Sequence, residues 1–116
     1  MPRSPDKTKF NKRERALLQQ LAGEAWNSEL GEALTELYEE FGKWADDAMD
    51  ALELSDKIHE FHNGISRELY SLYTSLDSAI LVSRAVALGL IEASAIGEDL
   101  LAKLEPKIES IRKAHR

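Results

Sequence analysis

Cysteine is missing from this sequence of 116 residues, and glycine and proline are scarce, with six and three copies. Without cysteine, the chain has no disulfide bonds, no thiol nucleophile and no zinc site built on thiolates. So few glycines and prolines argue against a strand-rich fold, which would need many tight turns. The sequence also has no signal-peptide pattern and no run of about 18 apolar residues. We therefore expect a cytoplasmic protein without a membrane partner.

The residues that are present favour helices. Hydrophobic residues make up 43% of the chain and charged residues 31%, and apolar residues recur at steps of three and four along most of it. We predict an all-α fold, a small antiparallel bundle of four to five helices whose last helix is kinked or restarted near Pro106. Residues 1–10 are expected to form a flexible basic arm, and residues 11–116 a single helical-bundle domain.

Polar residues predict the bounds of the first helices. The first helix is expected to begin near Asn11 and to break at the sequence NSELG, residues 27–31, where side chains suited to an N-cap occur. A second helix then continues to Leu52, with a stripe of apolar residues predicted to face the core. Its members are Leu30, Leu34, Leu37, Tyr38, Phe41, Trp44, Ala45, Ala48, Met49 and Leu52.

The later helices are predicted in the same way. Ser55 or Asp56 is expected to cap a third helix, which we predict to continue through Gly64, with a break there as the alternative. Gly89 is the expected stop of the next helix, and Ser94 the expected cap of the last one. The segment AILVSRAVALGLI, residues 79–91, is apolar nearly all round and predicts the core helix.

Charge is distributed unevenly along the chain, whose net charge is −6. Residues 1–15 contain six Lys and Arg against two acidic residues, whereas residues 16–56 contain one Lys against eleven Asp and Glu. An acidic body repels a phosphate backbone, which argues against nucleic-acid binding by the folded domain. A nucleic-acid-associated regulator that acts through the basic arm is kept as a second alternative function.

The segment DKIHEFHNG, residues 56–64, is the clearest hint of chemistry. Asp56, His59 and His62 follow one another at three-residue steps, which brings side chains to one side of a helix. A carboxylate three residues before a histidine is also the spacing found in di-iron helical bundles, where other helices add further carboxylates. In this chain the added carboxylate would come from Glu36, Glu39 or Glu40.

This pattern supports an alternative function, a di-iron-like or single-metal protein that binds iron, manganese or zinc. A full di-iron site needs two such motifs, and the chain contains one, with Asp in place of the usual Glu. The competing interpretation is that His62 borders the core and donates a hydrogen bond to a neighbouring carboxylate, while His59 lies towards the polar flank of the helix. The sequence favours that structural interpretation, and so no cofactor is expected.

Arg84 is the only charged residue between Asp77 and Glu92. A buried guanidinium needs a carboxylate or solvent, so Arg84 is predicted to pair, or to anchor an anionic ligand or an interface. The apolar residues around it are predicted to form a subunit interface: Ile80, Leu81, Val82, Val86 and Leu88. Trp26, Trp44, Tyr70 and Tyr73 are expected to be core or interface aromatics.

These observations predict a small acidic helical-bundle protein that is not an enzyme. Three amphipathic helices and one all-round apolar helix carry more apolar surface than a chain of this length easily conceals. Helices cover such surface by pairing across subunits, so a homodimer is expected, and a second protein can serve as partner. The leading functional hypothesis is therefore a self-associating, protein-binding or regulatory protein.

Overall fold

The structure, a computed structural model, describes residues 9–115, and these form helices and turns without a strand. The all-α class predicted from the sequence is confirmed. In chain order the elements are α1 (Lys12–Ala45), α2 (Ala51–Phe61), a π-helical turn (His62–Ser66), α3 (Arg67–Ser75), α4 (Ser78–Ala87), a short 3₁₀ turn (Ala93–Ala95) and α5 (Glu98–Ala114).

The chain divides into two compact units. The first consists of the chain up to Gly23 together with everything from Ser78 on, and we call it the basic unit because its sequence has twelve Lys and Arg against seven Asp and Glu. The second, Glu24–Asp77, is the acidic unit, with three Lys and Arg against fourteen Asp and Glu. Helix α1 contributes residues to both.

The basic unit has a well-covered core. Its buried side chains come from α4 and α5, from the start of α1 and from the loop before α5: Leu18, Leu21, Leu81, Val82, Ala85, Val86, Ile96, Leu100, Leu104 and Ile108. Val82 and Ile108 have no exposed surface. The hydrophobic transfer free energy of such side chains is about 1.5–3 kcal/mol each, so this cluster supplies most of the unit's stability.

The first turn of α1 is held by reciprocal hydrogen bonds. The Asn11 side chain accepts from the Glu14 amide at 2.8 Å, and the Glu14 carboxylate accepts from the Asn11 amide at 3.0 Å. This arrangement is a capping box, and it confirms the predicted start of the helix near Asn11. Glu14 also accepts a hydrogen bond of 2.7 Å from Lys103 Nζ on α5.

Helix α1 is longer than the sequence predicted. The break expected at residues 27–31 is wrong, because the helix continues to Ala45. Ala25 and Ala33 are buried on either side of that segment, and their packing outweighs the capping tendency of the polar residues between them.

The helix predicted to continue to Leu52 is the later part of α1, and it ends earlier, at Ala45. In the turn that follows, Asp47 adopts a left-handed conformation with φ 61°. The structure assigns the next cap to Asp50, whose carboxylate accepts from the Glu53 amide at 2.8 Å. The prediction of Ser55 or Asp56 as the cap is therefore wrong, since both residues lie inside α2. Each residue type suits a cap, and only the path of the chain selects one of them.

Glycine lies at a helix boundary or interruption in three places. Gly64 interrupts the helix between α2 and α3 with φ −98° and ψ −107°, so the favoured prediction of a continuous helix is wrong. Gly89, with φ 80°, ends α4 as predicted, and the Leu90 amide donates to the Ala85 carbonyl at 2.8 Å in a Schellman motif. Gly97, with φ 94°, precedes α5.

The last helix differs from its prediction at both places where one was made. Ser94 does not cap it, because it lies in the separate 3₁₀ turn before Gly97. The predicted kink or restart near Pro106 is not confirmed, since α5 includes this residue without interruption. Leu104 and Ile108 are buried on the same side of the helix, one turn apart, and their packing keeps both halves of α5 in register.

Candidate interaction surface

Large apolar side chains are exposed mainly in the acidic unit. Among residues 9–115 ten such side chains are exposed, and nine of them belong to this unit: Leu34, Tyr38, Phe41, Trp44, Leu52, Ile58, Ile65, Tyr70 and Leu76. The tenth is Leu88 in the basic unit. Scattered exposed apolar residues are normal on protein surfaces, but their concentration in one unit makes this unit the candidate for an interaction surface.

Four of these residues form a line on the second half of α1. Leu34, Tyr38, Phe41 and Trp44 follow one another at steps of four, three and three residues, which places them on one side of a helix. Their exposed fractions are 46%, 76%, 40% and 45%. We call these four residues the α1 stripe.

An aromatic cluster packs α3 against the part of α1 that precedes the stripe. The rings of Trp26 and Tyr73 stack with their centroids 5.5 Å apart, and Tyr70 meets Trp26 edge-on at 6.0 Å. The Tyr73 hydroxyl donates a hydrogen bond of 2.6 Å to the Glu29 carboxylate. These contacts fix α1 relative to α3 and therefore define which side of α1 is left exposed within the acidic unit.

The covered and exposed sides of α1 point in different directions. Ala25, Glu29 and Ala33 are buried or half-buried and follow one another at four-residue steps. At 3.6 residues per turn, Leu34, Tyr38 and Phe41 lie about a third to half of a turn away from this row, whereas Trp44 lies on the side of Ala33, about three turns further along. The apolar pattern thus shifts around the helix, so the neighbour that covers its earlier residues does not cover the later ones.

The electrostatics of the acidic unit are strongly one-sided, with a formal net charge of −11. Two of its three cations already have carboxylate partners on their own helix. Lys43 Nζ lies 3.2 Å from the Glu40 carboxylate, and Lys57 Nζ lies 3.9 Å from that of Glu60. The exposed apolar residues are therefore set in a field that attracts cations and repels anions.

The histidines lie on the surface. His59 is exposed in the last turn of α2, and His62 is exposed at the start of the π-helical turn. A shallow depression of about 260 Å³ is lined by His62, Asn63, Ser66, Arg67 and Tyr70. These side chains can donate hydrogen bonds to an anion, but the net charge of the unit opposes the approach of one.

The residues of the predicted metal site do not form a cluster in the part of the chain that the structure describes. No group of three or more His, Asp or Glu side chains there could hold a metal ion. Asp56, Glu36 and Glu39 are exposed, and Glu40 is half-buried beside Lys43. Spacing of three brings side chains to one side of a helix, but coordination also needs donors from a second element within about 2 Å of the ion.

The predicted interface on α4 is mostly covered by the chain itself. Leu81, Val82 and Val86 have exposed fractions of 2%, 0% and 6%. Ile80 is half-buried and Leu88 is 40% exposed. The first three residues would have to be uncovered before they could contact another subunit.

Arg84 is half-buried in the last turn of α4 and takes part in polar interactions. Its position suits a cation, because the carbonyl groups at a helix C-terminus carry partial negative charge. This location is consistent with the predicted pairing of its guanidinium.

Most of the basic arm lies outside the described residues, because the structure describes the chain from Lys9 on. Lys9 contributes its carbonyl, which accepts a hydrogen bond of 3.1 Å from Lys103 Nζ. No helix within residues 9–115 combines the length and apolar character that crossing a membrane requires.

Comparison with known proteins gives no further information about the site. No protein-family model matches the sequence, and neither the curated proteins nor the solved structures include a significant match. Any functional assignment therefore depends on the chain's own residues.

The four residues of the α1 stripe were predicted to lie on one side of a helix, but on the side that faces the core. Periodicity grouped its four residues correctly, yet assigned them to the core together with Leu52, which is 80% exposed. A usable signal was present, since a stripe that includes Tyr and Trp in the most acidic part of the chain is typical of a contact surface. Exposed Leu52 in α2 shows that the same error extends beyond α1.

Proposed function

We propose that this protein is a non-enzymatic interaction protein that binds another polypeptide through the acidic unit, with the α1 stripe at the centre of the contact. The observation that carries this proposal is the concentration of exposed apolar side chains in Glu24–Asp77, nine of the ten found among residues 9–115. Hydrophobic burial is the main favourable term in protein association, and Trp and Tyr are frequent hot-spot residues.

The amount of exposed surface supports a specific contact. With roughly 150–250 Å² for each aromatic side chain and somewhat less for each aliphatic one, the nine residues leave on the order of 900 Å² in solvent. One partner in a standard interface contributes about 800 Å², and the largest apolar patch of a typical monomer is about 300–600 Å². The sum over α1, α2 and α3 is therefore comparable to one partner's share of an interface, and the four residues of the α1 stripe supply about half of it.

Self-association through the same surface is the second candidate. The area argument applies to two copies of the chain as well as to two different proteins, and a two-fold dimer would pair the α1 stripe with its own copy. An antiparallel helical bundle could then be completed between subunits. In this candidate the dimer contact would be formed by the acidic unit, in place of the contact predicted for α4.

A site-specific photo-crosslinker tests the proposal. It would replace Tyr38, which is 76% exposed in the α1 stripe, or Leu88, which is 40% exposed in the basic unit and serves as the control position. We expect a discrete covalent adduct with a polypeptide, either a chain dimer or a second protein, from position 38 in cells that express the chain. Position 88 should give none.

A second variant keeps this test specific. Phe41→Ser removes an apolar contact next to position 38 on the same side of the helix and should abolish the adduct, with helicity by circular dichroism as the folding check. Absence of any adduct from position 38, or equal adducts from both positions, would contradict the proposal.

A further inference from the structure

We infer that the α1 stripe receives a cationic amphipathic helix from another protein, one with apolar residues at three- and four-residue steps and Lys or Arg beside them. This inference rests on the proposed function and adds the chemistry of the partner. It is carried by three features of the acidic unit, which are the length of the stripe, its aromatic content and the net charge around it.

The shape of the stripe fits a helix. Leu34 and Trp44 are ten residues apart, which corresponds to about 15 Å or nearly three turns along the α1 axis. The stripe also winds about a third of a turn around α1 from Tyr38 to Trp44, and an apolar stripe of this length and width matches the apolar side of another helix packed across it, as in helix-in-groove recognition. A partner segment of about four helical turns would cover it.

The aromatic residues favour cations at the edge of that contact. Tyr38, Phe41 and Trp44 expose 76%, 40% and 45% of their surface. The faces of such rings attract the ammonium or guanidinium group of a neighbouring Lys or Arg by about 0.5–1 kcal/mol at exposed sites. An apolar helix with basic residues next to its apolar positions would make both kinds of contact.

The charge of the acidic unit distinguishes a cationic partner from a second copy. Two acidic units in contact would bring −11 against −11, whereas a helix rich in Lys and Arg would be attracted and steered toward the surface. Added salt weakens an attraction and relieves a repulsion. Binding of the cationic helix should therefore weaken with salt, and self-association should strengthen. An anionic membrane surface would be repelled in the same way as a second copy.

The experiment uses a synthetic Leu/Lys amphipathic helix of about 14 residues as the probe. Its controls are a peptide with Glu in place of every Lys and a peptide of the same composition in which the apolar pattern is scrambled. Binding is measured by anisotropy of the labelled peptide with the full chain, while light scattering after size exclusion reports the oligomeric state.

A fluorescence readout locates the contact. The chain has two tryptophans, and Trp26→Phe keeps an aromatic ring next to Tyr73 while leaving Trp44 as the only reporter. Docking on the stripe should shift the Trp44 emission to shorter wavelength because its exposed part loses contact with water. If this variant is unstable, the anisotropy measurement with the unmodified chain still decides the question.

Matched substitutions separate the stripe from the rest of the surface. Phe41 and Leu88 are both 40% exposed. Phe41→Ser should weaken peptide binding at least about tenfold, the effect of losing a hot-spot residue, and Leu88→Ser less than about twofold. Raising the ionic strength from about 0.05 M to about 0.5 M, which shortens the screening length to a few ångströms, should weaken binding at least about tenfold.

Each other outcome contradicts the inference in its own way. Equal binding of the Glu peptide would overturn the cationic partner, and equal binding of the scrambled peptide would overturn the helix. A dimer that strengthens with salt and is lost in Phe41→Ser would show that a second copy covers the stripe, and the proposed function would survive. No peptide binding together with no crosslink from position 38 would remove both proposals.

Discussion

The basic and acidic units differ in how completely each conceals its apolar residues. In the basic unit the large apolar side chains of α4 and α5 are covered, and among the described residues only Leu88 is a large apolar side chain that is exposed. In the acidic unit nine remain exposed, although α2 and α3 there are at least as amphipathic as α4 and α5. The difference teaches that amphipathic helices of one chain are covered by their own neighbours in one unit and left partly exposed in the other.

Charge follows the same division. The basic unit has a formal net charge of +5 and the acidic unit one of −11. High net charge of one sign keeps a protein with exposed apolar surface soluble and restricts its partners to those of the opposite sign. In the acidic unit, exposed aromatic side chains and negative charge therefore occur in the same part of the chain.

The largest expected difference between the units is in the cost of removing one leucine side chain. Leu104→Ala creates a cavity at a residue that is 2% exposed, and should lower the free energy of unfolding by about 2–5 kcal/mol. Leu52→Ala, at a residue 80% exposed, should change it by less than about 0.5 kcal/mol. Urea denaturation followed by circular dichroism measures both. Similar losses in the two variants would mean that Leu52 is covered, against the difference in concealment between the two units.

A smaller effect is expected from the hydrogen bond that holds α3 to α1 in the acidic unit. Tyr73→Phe removes the hydroxyl that donates to Glu29 and should cost about 1–2 kcal/mol, since the acceptor is charged. Tyr38→Phe removes a hydroxyl from a residue 76% exposed and serves as the control. Thermal unfolding should show a lower midpoint for the first variant alone. If the two midpoints agree, the cluster around Trp26 does not position the stripe.

The smallest expected effect concerns the pH dependence of the basic unit. The hydrogen bond from Lys103, followed by the one from the Asn11 amide, holds the pKa of Glu14 below its usual value of 4.5. The contribution to stability is therefore fully present above pH 4.5 and is lost as the pH falls through the lower pKa of the folded state. Glu14→Gln should make the urea midpoint less dependent on pH in that acid range.

Lys103→Met tests the cause of this effect. It removes the cation that lies 2.7 Å from Glu14 and should flatten the acid side of the stability profile in the same direction as Glu14→Gln. A profile that stays as steep as that of the unmodified chain would show that the contact between α1 and α5 contributes nothing to the pH dependence.

Local chemistry was readable where one residue type dominates the outcome. The start of α1 was predicted near Asn11, where the structure shows a capping box with Glu14, and Gly89 was predicted as the end of α4, where it adopts a left-handed conformation. Both signals act within one helical turn. The site was readable only in part, because periodicity grouped the members of the α1 stripe but did not show which side of α1 would be covered.

Two incorrect predictions concern where a helix is interrupted. Asn27 and Ser28 suit an N-cap, yet buried alanines on either side keep α1 continuous. Gly64 was expected to be tolerated within a helix and instead adopts a non-helical conformation in the π-helical turn. Burial of neighbouring residues accounts for the first case, whereas at Gly64 the two local conformations differ by only about 1 kcal/mol and the residue type alone does not select one.

The sequence by itself determined that the chain is helical, that its charge is divided into a basic and an acidic part, and that apolar residues form stripes along the helices. These properties depend on residue type and on spacing along one element. The tertiary structure decided which stripes are covered, since Leu104 is buried and Tyr38 is exposed although both belong to well-formed stripes. Burial depends on whether another segment lies against a helix, and that contact joins residues far apart in the chain.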